Sequence, residues 1–139
     1  MNSIIRFGVS LNSKLLKDFD NLISKKGYSN RSEAIRDLIR DALVEDEWKA
    51  GEKETVGTVT LVYDHDTREL THLLTDLQHQ YHKSILSTTH IHLDEHNCLE
   101  VLVVRGKGKD IKKIADKVTA TKGVKYGKLS VATTGKNLA

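Results

Sequence analysis

The chain has one cysteine, Cys98, among 139 residues, which excludes a disulfide framework of its own and fits a reducing cytosol. That thiol is free to act as a ligand or a nucleophile. Long apolar runs are missing as well, and the N-terminus alternates polar and apolar residues from Ile5 onward, so neither a signal peptide nor a membrane span is expected. The expectation is a soluble, cytoplasmic protein. An excess of one charge is also lacking: the formal net charge is +3, which neither demands nor excludes a nucleic-acid partner, so any basic footprint must be local. With 38% apolar residues, the length suits one ordinary domain or two small ones sharing an interface.

What is present is unevenly placed. All seven histidines (His65, His72, His79, His82, His90, His92 and His96) fall between positions 65 and 96. From Ile5 to Leu11 the apolar Phe7, Val9 and Leu11 alternate with Arg6, Gly8 and Ser10, the period of a strand. Asn12 and Ser13 offer a helix start, and Leu15, Leu16, Phe19, Leu22 and Ile23 recur at helical spacing until Gly27. Asn30 with Glu33 reads as a capping box ahead of a second stripe, Ala34, Ile35, Leu38, Ile39, Ala42 and Leu43. The resulting β-α-α unit is small and its strand has no partner inside it, so a second chain must supply one. Two such units pairing their strands make a dimer with a two-stranded ribbon on its surface.

The charged stretch from Glu45 to Glu54 reads as a linker or a fraying helix end, with Trp48 in it as a packing contact. Beyond it the order is β-α-β-β-α-β: a strand at 55–63, a helix carrying Leu70, Leu73, Leu74 and Leu77, strands at 85–93 and 98–104, a helix carrying Ile111, Ile114, Ala115 and Val118, and a strand at 125–133. That is the ferredoxin-like split unit, an antiparallel sheet with both helices on one face. The expected division is 1–47 for the first domain, 48–54 for the linker and 55–139 for the second domain, an α+β chain overall.

His90 and His92 share one face of their strand, which alone describes a solvated strand as well as a metal site. Cys98 changes that balance, because a thiolate near two imidazoles adds a third borderline-soft donor. For the three to share a face, His92 must oppose Cys98 and His90 must oppose Glu100, leaving 93–97 as the connection. The opposite set, Ile91, Leu99, Val101 and Val103, is then expected to pack on the helices. The face carrying the metal residues with Leu102 and Val104 is expected to meet a partner. His79 points away from the leucine stripe of its own helix, toward solvent or toward another chain. Three donors with an open position also suit catalytic zinc, so a zinc-dependent enzyme stays as a competitor, although no hydrolase motif is present. Nor is there a base or oxyanion site that would make Cys98 a nucleophile. Tyr63 and Glu100 read as groups that orient the imidazoles. His65, His72, His82 and His96 read as surface residues, His96 being a possible alternative ligand in the hairpin turn.

The run from Gly27 to Asp37 (GYSNRSEAIRD), followed by His90-Ile91-His92 and Asn97-Cys98-Leu99-Glu100, resembles the nickel-responsive repressors of bacteria and archaea. The resemblance covers essentially the whole chain. It implies a ribbon-helix-helix N-terminus and an ACT-like (ferredoxin-like) metal-binding domain, assembled as a homotetramer with a ribbon-helix-helix dimer at each end. By resemblance the metal is Ni(II), one per chain, held by His90, His92 and Cys98 of one chain and His79 of another. Double-stranded operator DNA is read by the outward strand positions Arg6, Gly8 and Ser10, where Gly8 departs from the family's usual Thr. The other DNA contacts implied are Asn30, Arg31 and Ser32 at a helix start, suited to phosphate, and Arg68, whose neighbour Thr67 is not basic as in the family. Glu33 and Asp37 match positions tied to a second, low-affinity cation site for an ion such as K(+). The same architecture sensing another metal or a small molecule is the nearest alternative.

Overall fold

A computed structural model describes residues 3–139, with the side chain of Arg68 outside the described part. The chain divides into two compact units, one ending at Ile39 and one running Arg40–Ala139.

In the first unit, helix α1 (Ser13–Lys25) is opened by Asn12, whose side chain accepts from Leu15 N at 2.8 Å. Its end is closed by Gly27 at φ +87°, a left-handed position that a side chain would strain. There Tyr28 N bonds back to Ile23 O at 3.0 Å and satisfies a carbonyl of the last turn. Asn30 opens α2 (Arg31–Ala50) by accepting from Glu33 N at 2.9 Å. The reciprocal half of a capping box is not made, because Glu33 pairs instead with Arg36. Among the described residues of this unit, Ile23 and Ala34 are the buried hydrophobic ones.

The expected strand at residues 5–11 is not formed within the chain: the segment pairs with no other strand, and Phe7 and Val9 are 70% and 63% exposed. A lone strand cannot satisfy its N–H and C=O groups, so a single chain leaves it as unpaired backbone.

In the second unit, the charged stretch read as a linker or helix end is helical through Ala50. Trp48 is buried in the core of this unit. Gly108 lies against it, and a Cβ there would meet the indole at 3.4 Å, about van der Waals contact. The remaining elements are β1 (Glu54–Asp64), α3 (Arg68–Gln80), β2 (Ile85–His92), β3 (Asn97–Lys107), α4 (Gly108–Thr119) and β4 (Val124–Val131). The strands form one antiparallel four-stranded sheet in the order β2-β3-β1-β4, as the split unit requires.

One expectation about the sheet is reversed. The face carrying Cys98, Glu100, Leu102 and Val104 is the buried one, packed with Val59, Leu61 and Tyr63 of β1 against Leu70, Leu74, Ile111 and Ile114 of the helices. Leu99, Val101 and Val103, expected beneath the helices, lie on the opposite, partly exposed face, where Ile91 is 49% exposed. β3 is apolar on both faces, so its own period does not choose between them. β1 does choose, since its other face carries Thr58 and Thr60.

Candidate metal centre and nucleic-acid interface

The β2–β3 ladder pairs His92 with Cys98 and His90 with Glu100, the register that the shared face required. On the other side of β3, Tyr63 of β1 is opposite Cys98. The side chains concerned therefore gather where β1, β2 and β3 meet the turn between β1 and α3.

Cys98 is fully buried, and burial first, then the Glu100 carboxylate, pushes its thiol above the ordinary range. Two imidazoles face its sulfur: His65 Nδ1 at 3.2 Å and His92 Nδ1 at 3.5 Å. One donor atom from each of His65, His92 and Cys98 lies within 4.8 Å of the others. The ring of His90 stands 5.1 Å from that of His92 and 6.1 Å from that of Tyr63, beside this group. His79 is exposed near the end of α3, where its carbonyl accepts from His82 N. The structure therefore brings His92 and Cys98 together, holds His90 alongside, and leaves His79 facing outward.

His65, read from sequence as a surface residue, has its ring against the thiol. No periodicity marks it, since it sits in a turn. Its position two residues beyond Tyr63, itself opposite Cys98, is the signal that a full strand alignment would have provided. The metal residues also lie on the helix side of the sheet, not on an uncovered face as expected.

Beneath the imidazoles, Glu100 is 5% exposed and accepts from Tyr63 Oη and from Gln78 Nε2, both at 3.0 Å. Thr88 Oγ1 donates to Gln78 Oε1 at 3.4 Å, extending this network to β2. Burial and the adjacent Glu100 carboxylate hold the Tyr63 phenol protonated, well above the ordinary phenol range. A second cluster, Asp64, Asp66 and His96, lies beside the first. In it His96 Nδ1 meets Asp66 Oδ2 at 2.5 Å, which raises the His96 pKa and lowers that of Asp66. One thiol and two imidazoles, with donor atoms within 4.8 Å of one another, form a borderline-soft donor set that fits Ni(II), Cu(II) or Zn(II).

In the first unit, Arg6, Gly8 and Ser10 are exposed along the unpaired segment, and a Cβ added to Gly8 would meet nothing within 4 Å. Asn30 is used as the helix cap. Arg31 makes a two-pronged bond to Asp20 at 2.9 and 2.8 Å, which fixes its guanidinium between α1 and α2. Ser32 is exposed on the first turn of α2. Asp37 accepts from Tyr28 Oη at 2.6 Å, and Glu33 is held by Arg36. The Arg68 side chain, expected at DNA, lies outside the described residues. Among those residues, no helix is long and apolar enough to cross a membrane.

Comparison with known proteins places these two units. Residues 56–132 match the family described as NikR C terminal nickel binding domain, and residues 5–46 match the ribbon-helix-helix proteins of the copG family. A protein of Caldanaerobacter subterraneus, named as a nickel-responsive regulator, is 61% identical over 99% of this chain and 90% of its own length. One of Geobacter sulfurreducens with the same name is 62% identical over 99% of both chains. Among solved structures, an uncharacterised protein of Thermotoga maritima is similar over 58% of this chain and all of its own, with a TM-score of 0.53 and 18% identity. That last likeness concerns the fold.

Proposed function

The chain belongs to the NikR family of nickel-responsive regulators, with a DNA-binding ribbon-helix-helix part and a nickel-binding part, and from that premise we propose that nickel bound in the second unit controls how tightly the first holds a palindromic operator. As a member of a regulator family it is not a zinc hydrolase. The genes repressed are those of nickel uptake, and the protein works in the cytoplasm. The proposed division of labour is 1–47 for DNA, 48–54 for the connection and 55–139 for metal and tetramer.

The observation that carries this reading is the cross-strand pair of His92 and Cys98, which sets an imidazole 3.5 Å from a buried thiol. In the proposed site, one Ni(II) per chain is held by His90, His92 and Cys98 together with His79 of another subunit. Support for the two-chain arrangement comes from the exposure of His79 on α3. Glu100, held by Tyr63 and Gln78, lies opposite His90 and orients its ring. The outer sheet face, with Ile91 and Tyr126 about half exposed, is the surface proposed to bury itself in a homotetramer. The exposed Phe7, Val9 and Leu11 are proposed to pair across a ribbon-helix-helix dimer. On DNA, Arg6, Gly8 and Ser10 face the major groove. Asn30, Arg31, Ser32 and Arg68 are assigned to the phosphates. Glu33 and Asp37, one helical turn apart on α2, are the proposed low-affinity cation ligands, for example for K(+).

The test couples two measurements. Nickel should produce a sulfur-to-nickel absorption that disappears in Cys98→Ala, and should tighten operator binding in a shift assay. By linkage, saturating operator must then tighten nickel by the same factor. Unchanged nickel affinity on adding operator would overturn control through this site. For the shared ligand set, His79→Ala and Cys98→Ala chains are refolded together. Nickel binding recovered only in the mixture supports two-chain ligation, and no recovery in verified mixed tetramers overturns it.

A further inference from the structure

The imidazole nearest the Cys98 sulfur belongs to His65, which the nickel set leaves out. His65 Nδ1 stands 3.2 Å from Sγ, nearer than His92 Nδ1 at 3.5 Å, and the donor atoms of the three residues lie within 4.8 Å of one another. Around a tetrahedral zinc ion, Zn–S of about 2.3 Å and Zn–N of about 2.0 to 2.1 Å set the sulfur and a neighbouring nitrogen roughly 3.5 to 3.6 Å apart. The two separations to sulfur agree with that to a few tenths of an ångström.

A second observation concerns the far side of the ring. His65 Nε2 is 3.3 Å from Asp66 Oδ1, while the other oxygen of Asp66 takes His96 Nδ1. A metal-bound histidine commonly gives its remaining N–H to a carboxylate, which fixes the tautomer and aims the free nitrogen at the metal. His65 has that arrangement, with Nδ1 toward the thiol and Nε2 toward Asp66. These donors come from a single chain: the turn after β1, the end of β2 and the start of β3.

We propose that His65, His92 and Cys98 form an in-chain metal site for a divalent ion that favours tetrahedral coordination, zinc above all, alternative to the nickel site. This rests on the reading of His92 and Cys98 as nickel ligands, because both residues belong to both sets and the two ions exclude each other. Nickel, with its tetragonal preference, uses His90 and the partner's His79 in place of His65. Zinc held by the in-chain set needs no residue from another subunit, so it does not draw subunits together through His79. His65 is thus the residue that determines how strongly zinc competes.

The experiment uses the full-length protein, freed of metal and titrated with Zn(II) or Ni(II) against a competing chelator. His65→Ala is expected to weaken zinc by about tenfold or more and to leave nickel within about threefold, while His79→Ala does the reverse. Replacing zinc by Co(II) gives a visible readout: the intense tetrahedral bands should persist in His79→Ala and fade in His65→Ala. His65→Gln, which keeps a polar group of similar reach, should behave as His65→Ala does and guards against a folding effect. Zinc affinity unchanged in both His65 variants, or zinc and nickel weakened equally, overturns the proposal. If Cys98→Ala abolishes nickel binding while the His65 variants leave zinc untouched, the in-chain site fails and the regulator reading stands. Nickel binding unaffected by Cys98→Ala would instead remove the reading on which it rests.

Discussion

The indole N–H of Trp48 donates to the carbonyl oxygen of Ala132 at 2.8 Å, joining the last turn of α2 to the chain just beyond β4. Thr55 Oγ1 donates to the same carbonyl at 3.0 Å, and the ring is 3% exposed in the core of the second unit. A residue in a stretch that reads as charged linker is therefore a core residue.

Trp48→Ala is expected to destabilise the protein by about 3 to 5 kcal/mol, the range for removing a large aromatic from a packed core. Trp48→Phe should cost less, because Thr55 continues to satisfy the Ala132 carbonyl. Denaturant unfolding of both variants checks the order, and equal stability of Trp48→Ala and the parent would contradict the packing.

Arg6→Ala is expected to weaken operator DNA by about 1 to 3 kcal/mol while changing random DNA less, as for an arginine that reads a base. Gly8→Thr should fold normally, because an added Cβ meets nothing within 4 Å. It should shift the preferred base at one step, which a binding-site selection would detect. Equal loss on operator and random DNA for Arg6→Ala would assign that residue to the backbone.

Metal binding should become tighter as pH rises through neutrality. The Cys98 thiol, raised by burial and by Glu100, is protonated at pH 7, so a metal must displace its proton. Affinity should therefore increase by about tenfold per pH unit from this group alone until its raised pKa is passed. Calorimetry in buffers of different ionisation heat counts the released protons, and no proton release at pH 7 would contradict a protonated thiol.

In the metal-free protein, His96 should titrate above the ordinary value of 6.5 because Asp66 bonds its Nδ1. The sign follows from the raised value: the stabilisation by His96 is complete below about pH 6.5 and is lost as pH rises through the folded-state pKa. Asp66→Asn should bring the titration back toward 6.5, as NMR of the ring protons can follow. A His96 titration unchanged by Asp66→Asn would contradict the pairing.

Much of the fold was legible because its signals are local. Asn12, Gly27 and Asn30 act within one helical turn of where they stand, and the leucine stripe of α3 needs only its own period. The pairing of His92 with Cys98 was legible too, because few connections are compatible with three donors on one face. The same parity did not tell which face the helices cover, since β3 offers valine and leucine on both.

The amino-acid sequence by itself determined the order of elements, the caps, the hairpin register and the kind of metal the donors suit, all of which depend on residues a few positions apart. Only the tertiary structure decided where Trp48 packs, in the core of the second unit, and that the helices cover the Cys98 face. It also decided that His65 reaches a sulfur 33 residues along the chain. Those outcomes depend on how the strands align and which faces the helices close over, and no short-range period contains that information. The segment before α1 shows the same limit from the other side. Its alternation specifies a strand, but a strand exists only where another chain supplies the hydrogen bonds.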